Sequence, residues 1–130
     1  MSAALLDTHA VHWWSAEPER ISRPARRVLE AADELLVAAI SWYELAWLAE
    51  RQRIVIDVPI RSWLEDLSKQ IRTVGITPAI ADSAAGLPDS FPRDPTDRLI
   101  YATAIELGVK LVTRDEAIAA HDRPRSLVVW

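Results

Sequence analysis

Short, largely apolar runs recur along this chain, each followed almost at once by a residue suited to start a helix, and this pairing restricts the fold more than any other feature. Ala3–Leu6 leads into Asp7 and Thr8, residues 35–40 lead into Ser41, and residues 110–113 lead into Asp115. A strand with one wet face alternates apolar and polar residues, whereas a strand apolar on both sides belongs to a sheet covered on both faces. Strands of that kind alternating with helical patterns predict βαβ units and a parallel sheet. The 130 residues, half of them apolar, suit one core. The expectation is a single α/β domain over residues 1–130, with a mostly parallel central sheet flanked by helices on both faces.

The helices between the strands have their own signals. Ser22 and Pro24 open one that places Ala25, Val28, Leu29 and Ala32 at helical spacing. Ser41 is expected to start the next, with Trp42, Leu45, Ala46 and Ala49 on one stripe. Tyr43 and Trp47 lie on a second face, which calls either for a partner or for another helix of the same domain. Pro59 opens a helix through Trp63, Leu64, Leu67 and Ile71, residues 73–76 form a short strand, and Pro78 opens a small helix ending by Gly86. After a loop at 87–92, a helix over Pro95–Leu107 stops at Gly108; a strand at 110–113, a short helix after Asp115 and a last strand at 127–129 complete the chain. Of six tryptophans most belong to the core, with one or two left for an interface.

Composition excludes several kinds of chemistry. With no cysteine, neither a disulfide framework nor a thiolate site is available. No stretch approaches the roughly 18 apolar residues of a membrane span, and the apolar start lacks the basic flank of a signal peptide, so a soluble, cytoplasmic protein without membrane contact is expected. The formal charge of −4 argues against wrapping nucleic acid with the whole surface but not against a local site. Arg20, Arg23, Arg26 and Arg27 read as a solvated helix face, while Arg93, Arg98 and Arg114 flank acids and are candidates to touch phosphate.

Four of those acids stand out: Asp7, Glu44, Asp97 and Asp115. Each has a local explanation. Ser41 with Glu44 matches a capping box, Asp94 with Pro95 and Asp97 matches its aspartate counterpart, and Asp7 or Thr8 and Asp115 can accept bonds from free amides at helix starts. Asp94 is thus the candidate cap beside the acids. In a parallel sheet, however, the carboxyl ends of all strands share one edge, so acids placed just after separate strands converge there. Asp7, Glu44 and Asp115 meet that condition, and Asp97 joins them only if its helix starts at the same edge. Two carboxylates about 5 Å apart repel by about 3 kcal/mol at an effective dielectric near 20. A cluster of four therefore recruits protons or cations. Hard oxygen ligands favour Mg²⁺ or Mn²⁺, and the reaction that suits such ions is phosphodiester hydrolysis.

Other metal and phosphoryl readings are weaker. His9 and His12 share a helix face but lack a third ligand besides Asp7, and His121 stands alone and exposed. A haloacid-dehalogenase-like site needs an aspartate two residues after Asp7, where this chain has His9.

The set LLDTHA, SWYELAWLAERQRI, DPTDRLIYATAIELGVKLVTRDEAI and the closing Val129 and Trp130 resembles PIN-domain ribonucleases, and among them the VapC-type toxins of bacterial toxin–antitoxin pairs, over nearly the whole length. The resemblance implies that Asp7, Glu44 and Asp97 are the primary acids of a metal centre, that Asp115 is a fourth, and that Thr113 steadies a carboxylate or water. It also implies an RNA substrate, a homodimer, and a cognate VapB-type antitoxin whose basic peptide enters the acidic crevice, with Tyr43 and Trp47 as partner surface. Two positions depart from the usual pattern: Pro92 stands where many relatives carry histidine, and Thr96 replaces a common aromatic residue. The competing reading is a non-catalytic acidic module that binds a basic partner peptide.

Overall fold

The computed structural model describes residues 2–123 and 125–130. Its elements are β1 (Ala3–Leu6), α1 (Thr8–Ala16), a single 3₁₀ turn (Pro18–Arg20), α2 (Arg23–Ala31), β2 (Glu34–Ala38), α3 (Ala39–Glu50), α4 (Ile60–Ser68), β3 (Arg72–Val74), α5 (Pro78–Ala85), α6 (Pro95–Leu107), β4 (Lys110–Val112), α7 (Glu116–His121) and β5 (Val128–Val129). The strands form one sheet in the order β3-β2-β1-β4-β5, and every pairing is parallel.

The pleat explains why the strands are apolar throughout. Ala4 and Leu6 of β1 join Val37 and Val112 in a core covered by α1 to α4 through Val11, Leu29, Leu45 and Leu67. Leu5 points the other way and joins Leu36, Ala38 and Leu111 in a second core covered by α6 and α7 through Ile100, Tyr101 and Ile118. Both faces are therefore dry, as parallel strands require. α5 packs on α6 through Ile80, Ala84 and Ala102.

The chain runs from β1 to β2 and β3 on one side, then crosses through α5 and α6 to β4 on the other. Strand order thus reverses beside β1, and in an open parallel sheet this opens a crevice at the carboxyl ends of the strands.

Several boundaries move from their expected places. β2 ends at Ala38, and α3 begins at Ala39 rather than Ser41. An apolar run does not by itself separate a strand from the first turn of a buried helix, and Ile40 packs against the second core from that turn. α1 begins at Thr8 rather than at its expected start near Ala10; β3 lies at Arg72–Val74 rather than 73–76, and β4 and β5 are each one residue shorter than expected. Ile71 lies beyond α4, buried just ahead of β3. His121 is half-buried rather than exposed, its ring 5.4 Å from that of Phe91. Gly108 closes α6 at φ 64°, the left-handed conformation that glycine adopts without a Cβ clash.

Candidate metal centre

Asp7 follows β1 directly, and its backbone N–H continues the strand pairing by donating to the Val112 carbonyl at 3.1 Å. It is the N-cap of α1, with Oδ1 accepting from the Ala10 N–H at 2.8 Å. Oδ2 accepts from the Thr113 hydroxyl, and Thr113 Oγ1 accepts in turn from the Asp115 N–H at 3.1 Å. Asp115 caps α7 through Oδ1, which accepts from Ala117 at 2.8 Å and Ile118 at 3.0 Å. Capping and convergence are thus not alternatives for these two acids. The bond that caps a helix at the end of a strand also fixes the carboxylate at the sheet edge.

The other two acids arrive on helices. Glu44 sits half-buried on α3, whose N-cap is Ala38 with no capping side chain, so the expected Ser41–Glu44 capping box does not form. Ser41 lies inside the helix, fully buried, and its hydroxyl accepts from Thr8 Oγ1 at 3.0 Å. The box fails because the N-cap is Ala38, three residues ahead of Ser41. Asp94 does cap α6, accepting from the Thr96 N–H at 3.0 Å, which sets Asp97 in the first turn. Asp97 makes no side-chain hydrogen bond among the described residues, so the aspartate counterpart of the box is also incomplete.

Asp97 nevertheless reports on its surroundings. Its pKa is pushed up to about 7, first by burial and then by the charges of Asp94, Asp115, Glu44 and Asp7. Burial likewise raises Asp7, opposed by its bonds from Thr113 and Ala10 and by His9, while Asp115 adds to the rise. Carboxylates from four separate segments therefore share one electrostatic neighbourhood. Among the described residues no three His, Asp or Glu side chains form a ready-made ligand cluster. The acids reach one another by charge rather than by contact. A loose, all-oxygen set suits a hard divalent cation, which takes one or two carboxylates and keeps several waters. A carboxyl held near pKa 7 by burial and then by like charges is also one that gains from a cation.

The remaining candidates separate clearly. Arg98 spends all five of its donors on backbone carbonyls: Nε on Pro92, Nη1 on Ala84 and Leu87, and Nη2 on Pro88 and Phe91. That corrects the expectation that Arg98 touches phosphate, since it staples the loop before α6 instead. Arg114 is exposed, its guanidinium 5.9 Å from the Trp13 ring centre. His12 is buried, its Nδ1 without a partner among the described residues and its pKa lowered by burial, while His9 is exposed and stacks on Trp13 at 5.8 Å. Tyr43 is 67% exposed, so no helix of the domain covers it. Trp47 is half-buried, with the Arg51 guanidinium 4.1 Å from its ring centre. Two positions went unnoticed in the sequence. Thr8 counted only as a possible cap although it is a hydroxyl next to an acid, and the loop-stapling role of Arg98 has no local signal.

The PIN domain family profile matches residues 4–124. The chain belongs to the PIN-domain family. It is 58% identical over 130 residues to Ribonuclease VapC22 of Mycobacterium tuberculosis, covering 100% of both chains, which places it in the VapC-type branch. Solved structures agree on the fold. A toxin-antitoxin complex from Klebsiella pneumoniae has a TM-score of 0.69 at 23% identity, over 98% of this chain and 96% of that one. VapBC2 from Rickettsia felis, bound to a DNA fragment from its promoter, has a TM-score of 0.70 at 15% identity, over 98% and 97%. In this PIN domain the two departures from the common pattern lie at the start of α6, where only their backbones bond: the Pro92 carbonyl accepts from Arg98 and the Thr96 N–H donates to Asp94, so the change of side chain leaves these bonds unaffected. No helix among the described residues is long and apolar enough to cross a membrane.

Proposed function

We propose that this PIN domain is a metal-dependent endoribonuclease acting as the toxin of a toxin–antitoxin pair. One observation carries the proposal: Asp97, its pKa pushed up to about 7 first by burial, is raised further by the charges of Asp94, Asp115, Glu44 and Asp7, so acids from four separated segments share its surroundings. The 58% identity to a chain named a ribonuclease supports RNA as the substrate. Asp7, Glu44, Asp97 and Asp115 would hold one or two Mg²⁺ or Mn²⁺ ions. Bound there, a divalent ion supplies an activated water and neutralises charge on the scissile phosphate.

The chain's own residues do the rest. Thr113 and the Ala10 N–H orient the Asp7 carboxylate, and Asp94 and Arg98 hold the first turn of α6 so that Asp97 faces the crevice. Arg114, exposed beside Asp115, would meet an RNA phosphate, a role its exposure and its neighbouring acid support. The acidic crevice also suits a basic antitoxin peptide, and exposed Tyr43 with Trp47 offers it, or a second copy of the chain in a homodimer, an aromatic surface. That structural neighbours are toxin–antitoxin complexes supports a VapB-type partner.

Asp7→Asn tests this directly, because the amide keeps the capping acceptor and loses the charge. RNA cleavage and Mn²⁺ binding are expected to vanish while the melting temperature stays within a few degrees. Full cleavage by the variant would remove the metal role. A parent protein that binds a basic peptide but no divalent ion would instead favour the non-catalytic acidic module.

A further inference from the structure

Two buried hydroxyls join the helices that carry Asp7 and Glu44. Thr8, 2% exposed, is the first residue of α1 and directly follows Asp7. Ser41, 0% exposed, lies in the first turn of α3, three residues ahead of Glu44 and so one turn from it. Thr8 Oγ1 donates to Ser41 Oγ at 3.0 Å. An apolar pair would fill the same space without the cost of burying two polar groups, so the hydroxyls are explained by the directed bond they make.

The context of α3 shows why such a bond matters. α1, α2, α5, α6 and α7 each begin at a side chain that caps them: Asp7, Ser22, Thr77, Asp94 and Asp115. α3 begins straight from β2 at Ala38 with no capping side chain. Its first turn is therefore located by tertiary contacts, among them two polar, directional ones: Trp42 Nε1 donates to Thr73 Oγ1 at 2.9 Å, toward β3, and the bond to Thr8 ties the turn toward α1. On the opposite side of Asp7, Thr113 links β4 and Asp115 to the same carboxylate. Hydroxyls thus flank Asp7 on both sides, one tying it toward Asp115 and the other tying its helix toward Glu44.

We propose that the Thr8–Ser41 hydroxyl bond is a positioning device that sets the separation of Asp7 and Glu44, so that two residues touching neither cation nor RNA tune divalent-cation affinity. This rests on the metal-centre reading above. With the bond removed, no side-chain hydrogen bond joins α1 to α3 among the described residues, and the two helices meet through apolar packing, which tolerates small slides, while a ligand pair is sensitive to displacements of that size.

The test compares Thr8→Val, which keeps the shape, Ser41→Ala, which removes one oxygen, the double variant, and the conservative Thr8→Ser and Ser41→Thr. Mn²⁺ binding is measured by calorimetry and by electron paramagnetic resonance of free Mn²⁺, alongside kcat and KM for RNA and thermal unfolding in chelator. Each apolar single variant is expected to weaken Mn²⁺ about tenfold and to lower kcat at saturating RNA and fixed Mn²⁺, with KM for RNA unchanged. The double variant is expected to be no worse than either single, because both remove the same bond. Thr8→Ser is expected to restore the parental affinity. Should Thr8→Val fail to fold, Ser41→Ala and its pairing with Thr8→Ser give the same comparison. Unchanged Mn²⁺ affinity in folded variants of a parent that binds Mn²⁺ and cleaves RNA overturns the positioning role alone. A parent that does neither overturns it together with the function on which it rests.

Discussion

The Thr113 hydroxyl donates to the Asp7 carboxylate while accepting from the Asp115 N–H, so one buried oxygen joins the ends of β1 and β4 to the start of α7. Thr113→Val keeps the shape, strips the carboxylate of a donor and leaves a backbone amide without its acceptor. The expected loss is about 1–3 kcal/mol in urea unfolding, with Thr113→Ser close to the parent. A valine variant as stable as the parent would show that the bond contributes nothing to folding.

Asp97 makes the metal-free protein sensitive to pH. Its folded pKa of about 7 lies above its ordinary 3.8, so the folded state binds the proton more tightly and folding stability falls as pH rises between those values. In chelator, Asp97→Asn is expected to melt above the parent at pH 8, with the difference disappearing near pH 4. Asp7, raised by burial, acts in the same sense and is coupled to Asp97, so the difference between variant and parent reports the pair, whereas the opposite contribution of His12, lowered by burial, cancels. Identical pH slopes for the two proteins would contradict the electrostatic crowding.

Arg98 holds five backbone carbonyls, four in the loop before α6 and one at Ala84 of α5, and so belongs to folding rather than to RNA binding. Arg98→Met is expected to cost on the order of 2–3 kcal/mol in denaturant unfolding, since a charged donor group is lost and its acceptors reopen to water. The salt dependence of RNA affinity, measured below the melting transition, is expected to match the parent. A shallower slope would return Arg98 to the phosphate contacts.

Arg114 is expected to behave in the opposite way. It is exposed, so Arg114→Ala should leave stability within about 0.5 kcal/mol of the parent. Against a single-stranded RNA held uncleaved by Asp7→Asn, the slope of log affinity against log salt should fall by about 0.7, one phosphate contact. An unchanged slope would leave Arg114 without a role in binding RNA.

How much of this was legible beforehand follows from the range over which each feature is decided. Apolar runs at residues 3–6, 35–40 and 110–113, the Pro95–Leu107 helix and its Gly108 stop are local patterns, so the parallel α/β layering and most helices could be read from them. The caps at Asp7, Asp94 and Asp115 were legible for the same reason, since each acceptor lies within three residues of its donor.

What tertiary structure alone decided is every relationship across the sheet edge. Ser41 carries a cap signal yet lies inside a helix bonded to Thr8, 33 residues away, because burial of Ile40 draws the helix start back to Ala39. Arg98 neighbours an acid in sequence yet binds a loop, and Asp97 joins Asp7 only because α6 crosses back to the central strands. Local propensity acts over a few residues, whereas a shared crevice is set by strand order and packing, which a one-dimensional pattern of residue types does not contain.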